Sequence, residues 1–220
     1  MTSQLPSIVE IRRLESPTVT PQALAWHQGD LWLGSRDLSR FYGIKVDDWQ
    51  VFEEREAPGI PWAAVSTGDV LRVTIGEGAN DDRYMWSYTP GRGFSDNGRF
   101  AYPDFTGSYL SFDGKNIYLS QWYKGNIMKF DGSGATLQTI HVDGEISGHV
   151  FVDGSLYVLH GTEQNGESWR IAKVDPNQNA PEARDIATIP FACRSLTHDG
   201  KHFWSNYREA GETISFSLPV

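Results

Sequence analysis

Apolar and polar positions along the chain fall into a repeating unit. An apolar strand leads to a turn ending in glycine, and a second strand then opens on a large apolar residue. The turns are His27-Gln28-Gly29, Ser66-Thr67-Gly68, Phe112-Asp113-Gly114, Val152-Asp153-Gly154 and His198-Asp199-Gly200. Their glycines lie 39, 46, 40 and 46 residues apart. Three positions after the glycine stand Trp32, Leu71, Ile117, Tyr157 and Phe203; four positions before it stand Ala25, Ala64, Leu110, Val150 and Leu196. Both columns are apolar throughout, which predicts strands covered on both faces. A third strand follows in each unit, at residues 44–47, 84–86, 127–131, 171–175 and 213–216. Self-similarity at this period is the signature of a β-propeller with one four-stranded blade per repeat.

The reading is therefore an all-β, five-bladed β-propeller forming a single domain over residues 1–220. Its blades begin near Gln22, Pro61, Gly107, Ser147 and Cys193. The fifth unit runs out of chain before a fourth strand, while the spare segment 7–14 precedes the first unit. A ring removes its sheet edges when one terminus completes the blade begun by the other. Residues 7–14 are thus expected as the outermost strand of blade five.

Composition narrows the partners. The formal charge is −9, with acids and bases interspersed, so phosphate backbones and anionic lipid are unfavourable partners. No nucleic-acid or membrane role is expected, and no apolar run approaches the ~20 residues of a membrane span. The lone Cys193 cannot close an intramolecular disulfide, and no signal-peptide pattern opens the chain, so a cytoplasmic protein is expected. Aromatic residues are 13% of the chain, eight of them Trp, and mostly fill the wedges between blades.

Candidate chemistry collects at one end of the ring, where first strands begin and second strands end. Six positions after the glycine stand Ser35, Thr74, Ser120, His160 and Asn206, which suggests a polar ring around the channel. The same end carries Trp62, Ser108, Tyr109, His149, Arg194, Arg36, Glu77, Gln121, Trp122, Glu163, Tyr207 and Arg208. Aromatic walls with a few convergent polar groups suit a small-molecule pocket. His149 falls opposite Val158, which places His160 diagonally across on the same face, within about 8 Å. The pair fits general acid and base chemistry, with Glu163 orienting one imidazole; two hydrogen-bonded structural histidines are the bland alternative. With Glu163 or Glu77 the pair could also hold a divalent metal, but no metal signature is complete and no cofactor motif is present. Arg194 and Arg208 suit a substrate carboxylate, since guanidinium binds it in a planar, bidentate way. Trp62, Glu77, Tyr109, Gln121, Trp122, Asn206 and Tyr207 complete the expected substrate wall. Cys193 is expected as a small buried residue.

The units Phe112-Asp113-Gly114…Ile117-Tyr118-Leu119-Ser120…Phe130-Asp131 and His198-Asp199-Gly200…Phe203-Trp204-Ser205 resemble repeats of glutamine-cyclotransferase-type propellers. They are also similar to those of streptogramin lyases and NHL-repeat proteins. The resemblance implies a five-bladed propeller and points toward cyclisation of N-terminal glutamine. Its first-strand glutamates are replaced here by Ser108-Tyr109-Leu110-Ser111 and Gly148-His149-Val150, so no catalytic residue carries over. Two functions remain. One is a cofactor-free enzyme with a single axial pocket, performing cyclisation, elimination or hydrolysis on a small polar substrate. The other is a non-catalytic, lectin-like binding or interaction scaffold.

Overall fold

The computed structural model of the chain describes residues 5–162 and 168–219. Five antiparallel four-stranded sheets form a five-bladed propeller. Blade one comprises Pro21–His27, Asp30–Ser35, Arg40–Lys45 and Gln50–Glu56; blade two comprises Ile60–Ser66, Leu71–Glu77, Asp82–Thr89 and Gly93–Ala101. Blade three comprises Leu110–Phe112, Ile117–Gln121, Asn126–Phe130 and Thr136–His141; blade four comprises Glu145–Val152, Ser155–Thr162, Ser168–Val174 and Arg184–Ile189. Blade five contributes Cys193–His198, Phe203–Tyr207 and Glu212–Ser217, and its outermost strand is the N-terminal Val9–Glu15, paired with Glu212–Ser217. The N-terminus does slightly more than the sequence suggested. Before joining blade five it runs parallel to the outer strand of blade four, where Thr188 N–H donates to Pro6 O and Ile8 N–H donates to Thr188 O.

Burial falls from axis to rim. The first strand of blade one is buried along nearly its whole length, whereas its fourth strand is mostly exposed. Neighbouring blades cover both faces of the inner strands, and those strands therefore lack polar alternation. Each blade-to-blade seam is closed by an aromatic pair. Going round the ring these are Phe41–Tyr88, Phe100–Phe130, Tyr118–Phe151, Tyr157–Phe203 and Trp204–Trp49, with centroids 4.9, 6.1, 4.7, 5.1 and 6.1 Å apart. Such pairs add about 0.5–1.5 kcal/mol beyond the area they bury. Among the described residues, no helix is long and apolar enough to cross a membrane.

A feature absent from the sequence pattern shapes the axis. The first strand of every blade slips by one residue near its start. The register shifts between Pro21 and Leu24, Pro61 and Ala63, Ile146 and Gly148, and Arg194 and Thr197. In blade three, Ser108 N–H donates to Ser120 O while Ser120 N–H donates to Tyr109 O, again two residues against one. A bulge leaves backbone groups unpaired and re-aims side chains.

This corrects the expected polar ring. Ser35, Thr74, Ser120, His160 and Asn206 do lie toward the ends of the second strands, but their side chains are taken up by the bulges and neighbouring segments. Asn206 Nδ2 donates to Gln22 O and Ala23 O, Ser35 Oγ donates to Val19 O, and Ser120 Oγ accepts from Tyr109 N–H. Thr74 Oγ1 pairs with the Tyr102 hydroxyl, and His160 Nδ1 donates to Asp143 O. The column is polar because it satisfies bulges and inter-blade connections.

Candidate functional site

The bulged ends of four blades surround a hollow of about 240 Å³. Blade one supplies Arg36, blade two Trp62 and Arg83, and blade five Arg194 and Arg208. Blade three supplies Ser108, Tyr109, Trp122 and Tyr123. The last two belong to the short 3-10 turn Trp122–Lys124, which Gly125 ends in a left-handed conformation (φ 58°). Arg208–Ala210 makes the equivalent turn in blade five, ended by Gly211 (φ 68°).

The Trp62 ring carries two guanidiniums, Arg83 at 4.0 Å and Arg36 at 5.3 Å from its centroid. Its Nε1–H donates to Asp81 Oδ1 at 2.9 Å, and Arg83 donates to Asp81 Oδ2 at 2.6 Å and to Gly107 O at 3.0 Å. Arg194, only 2% exposed, lies 5.3 Å from the Trp122 ring and 5.1 Å from Trp169. Its Nη1 donates to Cys193 O at 3.0 Å, and its Nη2 is 3.5 Å from Glu209 Oε1. Arg208 donates to Gln22 Oε1 at 2.9 Å and to Glu209 Oε1 at 3.2 Å. Gln22, 1% exposed, ties the contributing blades together. Besides accepting from Arg208, its amide donates to Trp62 O at 3.3 Å and to the Tyr109 hydroxyl at 3.2 Å. With both ends of its amide satisfied, Gln22 is a structural hub.

Of the residues selected from the sequence, Trp62, Tyr109, Trp122, Arg194 and Arg208 line this hollow. The others lie elsewhere. Glu77 is engaged by Trp86 Nε1 and Arg99 on blade two. Gln121 donates to Thr106 Oγ1, and Tyr207 packs its ring 5.7 Å from Phe191. Asn206, fully buried, accepts from Thr213 Oγ1 besides its bonds to blade one. Glu163 lies outside the described residues.

The two histidines share a hairpin, and His149 does pair with Val158, yet each imidazole has its own partners. His149, 1% exposed, is 3.1 Å from Tyr109 O through Nε2 and 2.6 Å from Ser111 Oγ through Nδ1. Since a carbonyl only accepts, Nε2 carries the proton and Nδ1 accepts from the hydroxyl. Burial pushes this imidazole down to about 3, so it stays neutral at physiological pH. His160 instead faces a larger, more open hollow beside blade four, where Nε2 is 2.7 Å from Asp185 Oδ1. Arg170 holds the second oxygen of the same carboxylate at 2.7 Å. Burial alone would raise Asp185, but the bonds from Arg170 and His160 outweigh it and hold it below its ordinary value. Among the described residues, no group of three or more His, Cys, Asp or Glu side chains could hold a metal ion. Cys193 is buried with its Sγ 3.5 Å from Ser147 Oγ, and burial pushes its thiol up to about 12.

Arg83 and Tyr123 also line the hollow and stand outside the set expected from the sequence, to which Arg36 belongs only as a neighbour at this end. Arg83 had a usable signal: it pairs with Gly76, so the start of the third strand reaches the same end as the finish of the second. The described lining of the hollow contains no carboxylate and no imidazole. Burial raises the Tyr109 hydroxyl, which keeps it protonated. The hollow thus offers guanidinium and hydroxyl donors to a ligand, in a chain whose net charge is −9. The described lining stabilises negative charge and itself carries no group suited to accept a proton at neutral pH, while the Glu209 carboxylate reaches Arg194 and Arg208 from the turn beside it.

No protein-family model matches the chain, and no curated protein matches it in sequence. Solved structures do share its fold. The glutaminyl cyclase of Myxococcus xanthus superposes with a TM-score of 0.74 at 12% identity, covering 99% of each chain. A Bacteroides thetaiotaomicron protein of unknown function gives 0.60 at 14% identity, over 97% of this chain and 72% of the other. Hydrazine synthase of Kuenenia stuttgartiensis gives 0.56 at 14% identity, over 88% and 64%. The likeness is one of fold, and it agrees with the propeller type that the repeats resemble.

Proposed function

We propose that the protein binds one small anionic molecule in the axial hollow. The observation that supports this reading is the convergence of four guanidiniums from three blades on a single cavity, where the described carboxylates paired with them, Asp81 and Glu209, stand outside the lining and are half as many. Arginine is suited to this role because its planar donors match carboxylate and stay charged at any working pH. A volume near 240 Å³ is below the usual ~300–1,000 Å³ of drug-sized sites, which favours a small occupant.

A cyclotransferase is the second reading, favoured by full-length fold likeness to a glutaminyl cyclase. Cyclisation needs a group to take a proton from the attacking amine, and the described lining supplies none. His149 is an unpromising proton carrier because it is sealed, neutral and fully bonded. Binding without acid–base turnover is therefore the better supported of the two.

Calorimetry with acetate and benzoate, against acetamide and benzamide as neutral controls, tests the proposal. One site per chain is expected, selective for the anions and weakened by salt. Arg208→Gln should cost about 10–100-fold in affinity, the worth of one charge-assisted hydrogen bond. Equal binding of the amides, or several equivalent sites, would retire the anion site. Turnover of a peptide with N-terminal glutamine would favour the cyclotransferase instead.

A further inference from the structure

The two sides of the axial hollow differ in chemistry, and the difference specifies what fits between them. Guanidiniums come from the consecutive blades five, one and two, while blade three contributes the aromatic wall. In that wall the Tyr109 and Trp122 rings lie 6.3 Å apart at 34°, and Tyr123 meets Trp122 edge-on at 6.4 Å. Tyr123 is 94% exposed, a large ring held at the lip that no described residue covers. Across the hollow, Arg36 rests on Trp62 and has no carboxylate partner among the described residues.

We infer that the ligand is a small planar aromatic or heteroaromatic carboxylate, its acid group toward Arg36, Arg83 and Arg208 and its ring against Tyr109, Trp122 and Tyr123. This rests on the small-anion reading above and narrows it. Inorganic phosphate would leave the aromatic wall wet. An aliphatic diacid would leave the flat faces of Tyr109, Trp122 and Tyr123 without a stacking partner. A flat acid uses both sides, through coplanar guanidinium–carboxylate bonds and ring stacking.

The test compares three probes by calorimetry: benzoate, cyclohexanecarboxylate and acetate. The first two share size and charge and differ in planarity. Benzoate should bind about 3–10-fold more tightly than cyclohexanecarboxylate, as expected for one aromatic contact. Tyr123→Ala should shrink that preference to about twofold or less, while Tyr123→Phe should retain it. Tyr123 is a surface side chain, so neither substitution threatens the fold. Equal affinity for benzoate and cyclohexanecarboxylate, or an unchanged preference in Tyr123→Ala, would overturn the aromatic class and leave the anion site standing. If none of the three binds, both readings fall together.

Discussion

The two ends of the same hairpins follow opposite rules. At the turn end, blades three and five carry the same device. Asp113 Oδ1 accepts the N–H groups of Lys115 and Asn116, and its other oxygen accepts from the Tyr118 hydroxyl. Asp199 Oδ1 accepts from Lys201 and His202, and its other oxygen accepts from Trp204 Nε1. The glycine after each aspartate has a left-handed backbone, φ 93° at Gly114 and 94° at Gly200. Here carboxylates gather donors, and the arrangement repeats because each blade must solve the same folding problem. At the bulged end, guanidiniums take over in blades one, two and five, from different positions, while blade three contributes rings. Repetition marks where the chain builds itself; divergence at matched positions marks where it faces something else.

The largest expected effect lies between the two ends, at His149. Its folded value is about 3 against an ordinary 6.5, so the unfolded chain binds this proton first. The resulting stability is fully present above about pH 6.5 and is lost as pH falls toward 3. A two-unit drop below 6.5 should cost about 3 kcal/mol from this group. His27 and His198, also lowered by burial, act in the same direction. Urea titrations at pH 7 and 4.5 should show wild type losing this much, while His149→Gln loses clearly less. Parallel losses in the two proteins would remove His149 from the acid limb and leave that limb to groups at the two ends.

Next in size is the turn end itself. Burial would raise the Asp113 carboxyl, but the N–H groups of Asn116 and Lys115 outweigh it and hold it at about 2. Asp199 is lowered in the same way, with Trp204 among its donors. These depressed values stabilise the fold above the ordinary carboxylate range, and the gain disappears as pH falls toward 2. Asp113→Ala and Asp199→Ala should each cost about 1–3 kcal/mol at pH 7, since each strands several donors. Benzoate affinity should stay within twofold of wild type. A tenfold loss of binding in either variant would mean that the two ends are coupled.

This contrast also explains what could be read from the sequence. Turn chemistry is local, so the Asp-Gly pairs and the apolar columns around them located the blades. The expected starts at Pro61 and Cys193 fall within one residue of Ile60 and Cys193, and segment 7–14 closes the ring as Val9–Glu15. The axial end depends on a one-residue bulge in each inner strand, which no local pattern announces. Gln22 therefore passed as a strand start when it is the hub beneath the hollow. His149 passed as a candidate acid because the sequence cannot reveal that Ser111 of the next blade closes over it. Arg194 and Arg208 were legible because position alone put them at the right end. Arg83 is brought to that end by the pairing of the third strand's start with Gly76, which the apolar columns do not mark.

The smallest expected effect is the most specific to the divergent end. Glu209 Oε1 is 3.2 Å from Arg208 Nη2 and 3.5 Å from Arg194 Nη2, on a turn at the lip of the hollow. Its side chain is partly exposed, so as an ion pair it contributes at most about 1 kcal/mol to the fold. It matters more as an internal carboxylate occupying donors that a bound acid would use. A ligand must then displace Glu209 or share those donors with it. Glu209→Gln keeps the shape, removes the competing charge, and should tighten benzoate binding about 3–10-fold. Stability should move by no more than about 0.5 kcal/mol, as for other surface changes. Weaker binding in this variant would reverse the assignment: Glu209 would then be the group that holds Arg194 and Arg208 in position for the ligand, and the hollow would be preorganised by its own anion and not merely screened by it.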